Sequence, residues 1–262
     1  MDKKSLDEGI DLEKIFKSND FISLKAATLK ILEKNPDNID ALNALAISYK
    51  QLGDIKSAEE TFYKLIKSAG QLDHIYSNAG NFFHDVGKID LALQLQKHAI
   101  KLNPKNINAL NQAGLALSNK GMDEEAIKYF KSAIKIDPDQ DSTNINIANS
   151  SRNLEKYKEA AKYYSKSEKI LAKCQQLECY YMLGDDKKFY ESLNILSESY
   201  APHPLAAALS KHASIRFNKE DNYSFCPNPF DFVYKSNLFN KNIFNEQLIR
   251  DFMQVLNAES LS

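Results

Sequence analysis

Residues 107–140 read INALNQAGLALSNKGMDEEAIKYFKSAIKIDPDQ, and this stretch decides the fold because its landmarks recur. Its alanine Ala126 has counterparts at Ala58, Ala92 and Ala160, each 34 residues from the next. Gly121 has counterparts at Gly53 and Gly87, and Gly114 belongs to a small-residue column with Ala46, Gly80 and Ala148. Leu117 falls in line with Tyr49 and Phe83, and Pro138 with Pro104. Self-similarity at a fixed period of this size is the signature of stacked helical hairpins.

The columns have physical meanings. A small residue on a helix face lets a second helix approach closely, so the Ala46 and Ala58 columns predict two helices packed against each other in each unit. Between them the glycine column supplies the left-handed residue that ends a helix in a tight turn. Asp54 and Asp123 follow these turns and suit helix starts, where an acidic side chain meets free N–H groups. Pro104 and Pro138 stop one pair before the next begins. Large apolar residues such as Leu42, Leu45, Tyr49, Phe62 and Leu65 repeat at helical spacing and predict the buried face.

These positions resemble the tetratricopeptide repeat. The family pattern reads as Leu42, Leu45, Ala46, Tyr49, Ala58, Phe62, Leu65 and Gly70 in one unit, and as Leu110, Ala113, Gly114, Leu117, Ala126, Phe130, Ala133 and Pro138 in another. The second unit gives Tyr76, Gly80, Phe83, Ala92, Gln96 and Pro104, and the fourth gives Asn144, Ala148, Ser151, Ala160 and Tyr164. The resemblance implies an all-α, right-handed superhelical solenoid with four units at 39–72, 73–106, 107–140 and 141–172. A divergent helix pair is expected over 1–38, and a divergent fifth pair with a capping helix over 173–217. Phe189 stands in that fifth pair where the alanine column continues.

Residues 218–262 break the pattern. A loop through Cys226-Pro227-Asn228-Pro229, a short apolar piece at Phe230, Phe232 and Val233, and a helix over 245–256 are expected there. The Asn-Pro-Phe-Asp-Phe-Val run looks like the opening segment of iron/2-oxoglutarate oxygenases that follow such repeats. Two readings stay open for the segment besides folding back on the repeats: the start of a second, catalytic domain, or a self-association surface.

Composition narrows the function classes. A formal charge of −1 over 262 residues gives no global attraction to nucleic acid or anionic lipid. No apolar run reaches the length of a membrane span, and three cysteines, Cys174, Cys179 and Cys226, make no disulfide framework. A reduced, cytoplasmic setting is expected. Phosphate loops need clustered glycines, whereas these are spread one per turn. The five histidines lack metal-ligand spacing, and adjacent His84 and Asp85 belong to different helix faces. Neither a cofactor, nor a metal, nor catalysis by this chain is expected. The pairs Phe62-Tyr63, Tyr129-Phe130 and Tyr163-Tyr164 are expected to pack between helices.

What remains is a binding face. In a stack of such units the first helix of each lines the inner groove, and the positions between the packing columns hold Asn43, Asn78, Asn81, Asn111, Gln112, Asn146 and Asn149, with Arg152 at the far end. Asn78, Gln112 and Asn146 share one column. An amide both donates and accepts, so such a ladder suits the backbone of an extended peptide. It is similar to the asparagine ladders of repeats linked to glycosyltransferases. Family members that hold a free carboxylate terminus use lysine, asparagine and arginine at defined places. Here those places carry Asn43, Ile47, Asn108 and Gln112, and only Asn78 agrees, so capture of a chain terminus is not expected. The resemblance thus implies a scaffold for a protein or extended peptide, or alternatively the substrate-recruiting part of a larger modifying enzyme such as an oxygenase or glycosyltransferase.

Overall fold

The computed structural model describes residues 11–221 and 223, and all elements below lie among these. They form thirteen helices and no strand. One compact unit ends at Leu196 and another begins at Ser197. The expected features at Cys226, Phe230 and residues 245–256 lie outside the described residues.

The first unit is a run of helical hairpins. Helices α1 (Leu12–Lys17) and α2 (Phe21–Lys34) make an N-terminal pair ahead of the repeat hairpins; α3 (Ile39–Gln51) with α4 (Ile55–Ser68), α5 (Asp73–Asp85) with α6 (Ile89–Leu102), and α7 (Ile107–Asn119) with α8 (Asp123–Ile136) make the first three hairpins. Then follow α9 (Asp141–Asn153) with α10 (Tyr157–Tyr164), and α11 (Ile170–Leu183) with α12 (Asp186–Ser199). The second helices α2, α4, α6, α8 and α10 each pack on their own partner and on the first helix of the following pair, as α6 does on α5 and α7. First helices also touch one another, α5 on α7 and α7 on α9. This is the solenoid arrangement, in which no hairpin buries its apolar face alone.

The turns inside the hairpins repeat one geometry. The backbone N–H three residues past α3, α5, α7 and α9 bonds a carbonyl five residues back: Asp54 to Tyr49 at 2.9 Å, Lys88 to Phe83 at 2.8 Å, Met122 to Leu117 at 3.0 Å and Lys156 to Ser151 at 2.8 Å. The residue between has positive φ, +80° at Gly53, +80° at Gly87 and +73° at Gly121, but it is Glu155 at +57° in the fourth hairpin. A glutamate carries its Cβ into a region that glycine enters freely, and this costs stability.

Packing follows the expected columns. Ala46, Ala58, Ala92, Ala126, Ala148 and Ala160 are all buried, as are Phe62, Phe130 and Tyr164, while Tyr63 is exposed. A Cβ on Gly114 would stand 2.4 Å from the Phe130 ring, so the ring occupies the space that glycine leaves. Phe62 stacks on Phe82 of the next hairpin with ring centroids 4.8 Å apart. In the fifth hairpin buried Phe189 replaces the alanine and meets the Tyr181 ring edge at 6.4 Å.

Capping differs from expectation at one place. Asp54 caps α4, accepting from the Ser57 N–H at 3.1 Å. Asp123 does not cap α8. It lies inside the first turn, is nearly buried, and accepts from the Ser118 hydroxyl at 2.6 Å and the Asn153 amide at 3.2 Å. Met122 holds the cap position with no side-chain bond, so the carboxylate serves the neighbouring hairpin instead of its own helix end. Helix α13 (Pro204–Arg216) belongs to the second compact unit. There His203 Nδ1 accepts from the Leu205 N–H, and Ser210 donates to Asp221 at 2.6 Å.

Candidate functional site

The expected binding positions lie on α3, α5, α7 and α9, and the structure divides them into three groups. The first group staples one hairpin to the next. Asn111 is 9% exposed, with its amide donating to Gln140 at 2.7 Å and its carbonyl accepting from Thr143 at 2.9 Å. Arg152 donates to Glu178 of α11 at 2.8 Å. The Asn78 amide donates to the Asn43 carbonyl at 3.1 Å, joining α5 to α3 and leaving one end of each amide uncommitted.

The second group bonds inside its own hairpin. Asn81 accepts from the Gln96 amide at 2.8 Å, and the same nitrogen donates to the Ser77 carbonyl at 3.0 Å. Gln96 stands where the other hairpins carry Phe62, Phe130 and Tyr164, and it is buried with its Oε1 unpartnered. Asn149 accepts from the Tyr164 hydroxyl at 2.5 Å. Burial pushes the Tyr164 phenol up to about 12, so it remains a neutral donor.

The third group is Gln112 and Asn146. Both are half-buried on neighbouring first helices, and neither side chain makes a hydrogen bond within the described residues. Their donors and acceptors therefore have no protein partner among the described residues.

Lys50, His84, Ser118 and Arg152, spaced by the 34-residue period, are also committed to partners. Lys50 pairs with Asp85, and Asp85 also stands 3.6 Å from the His84 ring, so these adjacent residues meet rather than diverge. His84 bonds Asn119 at 2.8 Å. Sequence reasoning did not anticipate Gln140, Thr143 and Glu178 as partners, because they sit one hairpin away and leave no trace in local periodicity. Cys174 and Cys179 are buried thiols, and burial pushes Cys179 up to about 12, which keeps it protonated and unreactive. No described helix is long and apolar enough to cross a membrane.

Comparison with known proteins agrees with this architecture. The tetratricopeptide repeat pattern matches residues 73–106 and 107–140, and a second pattern of the same description matches 27–60. The chain is 37% identical over 65 residues to protein O-mannosyl-transferase Tmtc3 of Drosophila melanogaster, covering 25% of this chain and 7% of that protein. It is 25% identical over 142 residues to type IV pilus assembly protein PilF of Pseudomonas aeruginosa, covering 53% of this chain and 56% of the relative. The chain thus spans little more than half, or far less, of these relatives. The solved structure of Pseudomonas aeruginosa PilF superposes with a TM-score of 0.65 at 18% identity, covering 77% of this chain and 94% of that one. YrrB, described as a repeat protein with an unusual peptide-binding site, gives 0.60 at 16% identity, covering 71% and 98%. With repeats matched over 27–60 and 73–140, an all-helical hairpin stack and neighbours of the same architecture, the chain carries tetratricopeptide repeats and has the tetratricopeptide repeat fold.

Proposed function

We propose that the chain binds an extended peptide, or an extended segment of a protein, along the groove lined by α3, α5, α7 and α9, and that it performs no chemistry of its own. The observation that carries this reading is the pair Gln112 and Asn146. Both amides lie in one column, and neither spends a hydrogen bond among the described residues. A half-buried amide with no internal partner meets either water or a ligand backbone, and two in line match the alternating N–H and C=O groups of an extended chain. The Asn43–Asn78 pair continues the column with one uncommitted end on each side chain. Asn81, Asn149, Asn111 and Arg152 act one step back, fixing the helices on which the ladder stands.

Affinity capture with the intact chain and with a Gln112→Ala/Asn146→Ala variant tests the reading. Partners held by the intact chain and lost by the variant support it, provided helical circular dichroism is unchanged. Equal capture by both removes the amide ladder.

A second reading draws on the similarity to a stretch of a protein O-mannosyl-transferase: the repeats would deliver a substrate to a modifying domain beyond residue 262. An immunoblot of the endogenous protein discriminates. A product of the 262-residue mass removes this reading, and a much larger one supports it.

A further inference from the structure

Two clefts open on the outer edge of the stack, at equivalent places in successive hairpins. The first, about 950 Å3, runs along α8 from Gly121 and Met122 past Glu124, Glu125 and Lys128 to Tyr129. The second, about 650 Å3, runs along α10 from Glu155 and Lys156 past Lys158, Glu159 and Lys162 to Tyr163. Each position of the second is its counterpart in the first plus 34 residues. Shape is thus repeated while charge is inverted. The first turn of α8 carries Asp123, Glu124 and Glu125. At the same places α10 carries Tyr157, Lys158 and Glu159, with Lys156 before them and Lys131 of α8 on the rim.

The second cleft's lining carries four lysines against the two carboxylates of Glu155 and Glu159. Lys131 pairs with Glu159 at 2.9 Å and Lys156 with Glu124 at 3.3 Å. That leaves Lys158 and Lys162, both exposed and one helical turn apart, with no carboxylate in ion-pair reach among the described residues. Tyr157, Tyr163 and Leu183 supply an apolar and aromatic wall beside them. Two free ammonium groups next to such a wall suit a carboxylate-rich segment with one large apolar side chain.

The neighbouring cleft decides the kind of anion. Asp123, Glu124 and Glu125 lie one hairpin away along the same edge, so a polyanion tracking the edge would leave the lysines and meet acidic groups. A nucleic acid needs a continuous basic track, whereas a peptide can confine its acidic residues to one hairpin. We infer that the α10 cleft docks an acidic peptide segment, with carboxylates on Lys158 and Lys162 and an apolar residue against Tyr157, Tyr163 and Leu183.

The surface lies outside the Gln112 and Asn146 column, so the two can fail separately. The test is fluorescence anisotropy on the full chain with a labelled Glu-Glu-Leu-Glu-Glu peptide, its Lys-Lys-Leu-Lys-Lys counterpart and labelled oligouridylate. The acidic peptide is expected to bind, and the Lys158→Glu/Lys162→Glu variant to weaken it by about tenfold or more. Lys158→Ala/Lys162→Ala is expected to give a smaller loss in the same direction, and Gln112→Ala/Asn146→Ala no change. Acidic-peptide binding that is absent, or that survives both lysine variants, overturns the inference. So does tighter binding of the oligouridylate or of the basic peptide.

Discussion

The third and fourth hairpins share one sequence frame and are held together by different physics. In the third, Gly121 makes the turn, Phe130 fills the space over Gly114, and α8 runs fourteen residues. In the fourth, Glu155 makes the turn at φ +57°, Tyr164 takes the aromatic place and spends its hydroxyl on Asn149, and α10 runs eight residues. Helix α9 buries Thr143, Asn144, Ser150 and Ser151 where α7 buries mainly Ala and Leu. The Asn144 Oδ1 and Ser151 Oγ have no bonded partner. Buried polar groups left unpaired cost about 1–3 kcal/mol each, so the frame fixes the shape of a hairpin without fixing its stability. In a quasi-linear stack each hairpin leans on its neighbours, and of these two the fourth is expected to open first.

The contrast breaks most visibly if the apolar wedge is removed. Phe130→Ala is expected to cost about 3–5 kcal/mol, the usual range for an emptied core aromatic. It would bring hydrogen-exchange protection of α7 and α8 down to that of α9 and α10. Protection of α7 and α8 left above that of α9 and α10 would show that Phe130 is not what separates the two hairpins.

The aromatic of the fourth hairpin responds to pH instead. Its phenol titrates near 12 in the folded chain against an ordinary 10.0, because burial disfavours the phenolate. The folded state therefore binds that proton more tightly. Its stabilising contribution is full below about pH 10 and lost as pH rises toward 12, by about 2–3 kcal/mol. Circular dichroism followed through this range should show helix loss, and Tyr164→Phe should reduce it, leaving the part carried by the Cys179 thiol, which burial also pushes up to about 12, while giving up the Asn149 bond at neutral pH.

Between the two hairpins stands Asn111. Asn111→Ala leaves Gln140 and Thr143 short of a partner, and a loss of about 1–2 kcal/mol in a urea titration is expected. An unchanged midpoint would mean that water replaces the staple without penalty.

Asn111 also marks how far the sequence could be read. Turns, small columns and buried aromatics were legible because each is a local requirement, satisfied by one residue type at one point of the period. The fate of an amide is not local. Asn111, Gln112 and Asn146 look alike in the sequence, yet the first is consumed by residues 29 and 32 positions later while the other two stay uncommitted. Which of them reaches a partner depends on the spacing between adjacent hairpins, and periodicity carries no information about that distance. The same reason hid Asp123, whose sequence place is that of a cap and whose carboxylate reaches Asn153 in the next hairpin. Sequence therefore picked out the amides, and only packing distinguished those bonded to a neighbouring hairpin from those without a partner among the described residues.

The smallest expected effect sharpens the comparison most. Glu155 is fully committed to the turn by the Lys156 N–H bond to Ser151, and its own N–H bonds Arg152 at 2.8 Å, so the left-handed backbone cannot relax without losing both. Its side chain is exposed and makes no ion pair among the described residues. Glu155→Gly thus removes the Cβ strain and surrenders little else. The gain on the folded side, of about 1 kcal/mol, is partly offset by the greater freedom of glycine in the unfolded chain. A net rise of a few tenths to about 1 kcal/mol in stability is expected, concentrated in exchange protection of α9 and α10. Because glycine already serves at the three preceding turns, a loss of stability would mean that the carboxylate, and not the backbone, is what the fourth turn requires. Lys158 lies on the first turn of α10 and answers to the same geometry, so a stiffer turn that also tightened acidic-peptide binding would tie the strain at Glu155 to the cleft it borders.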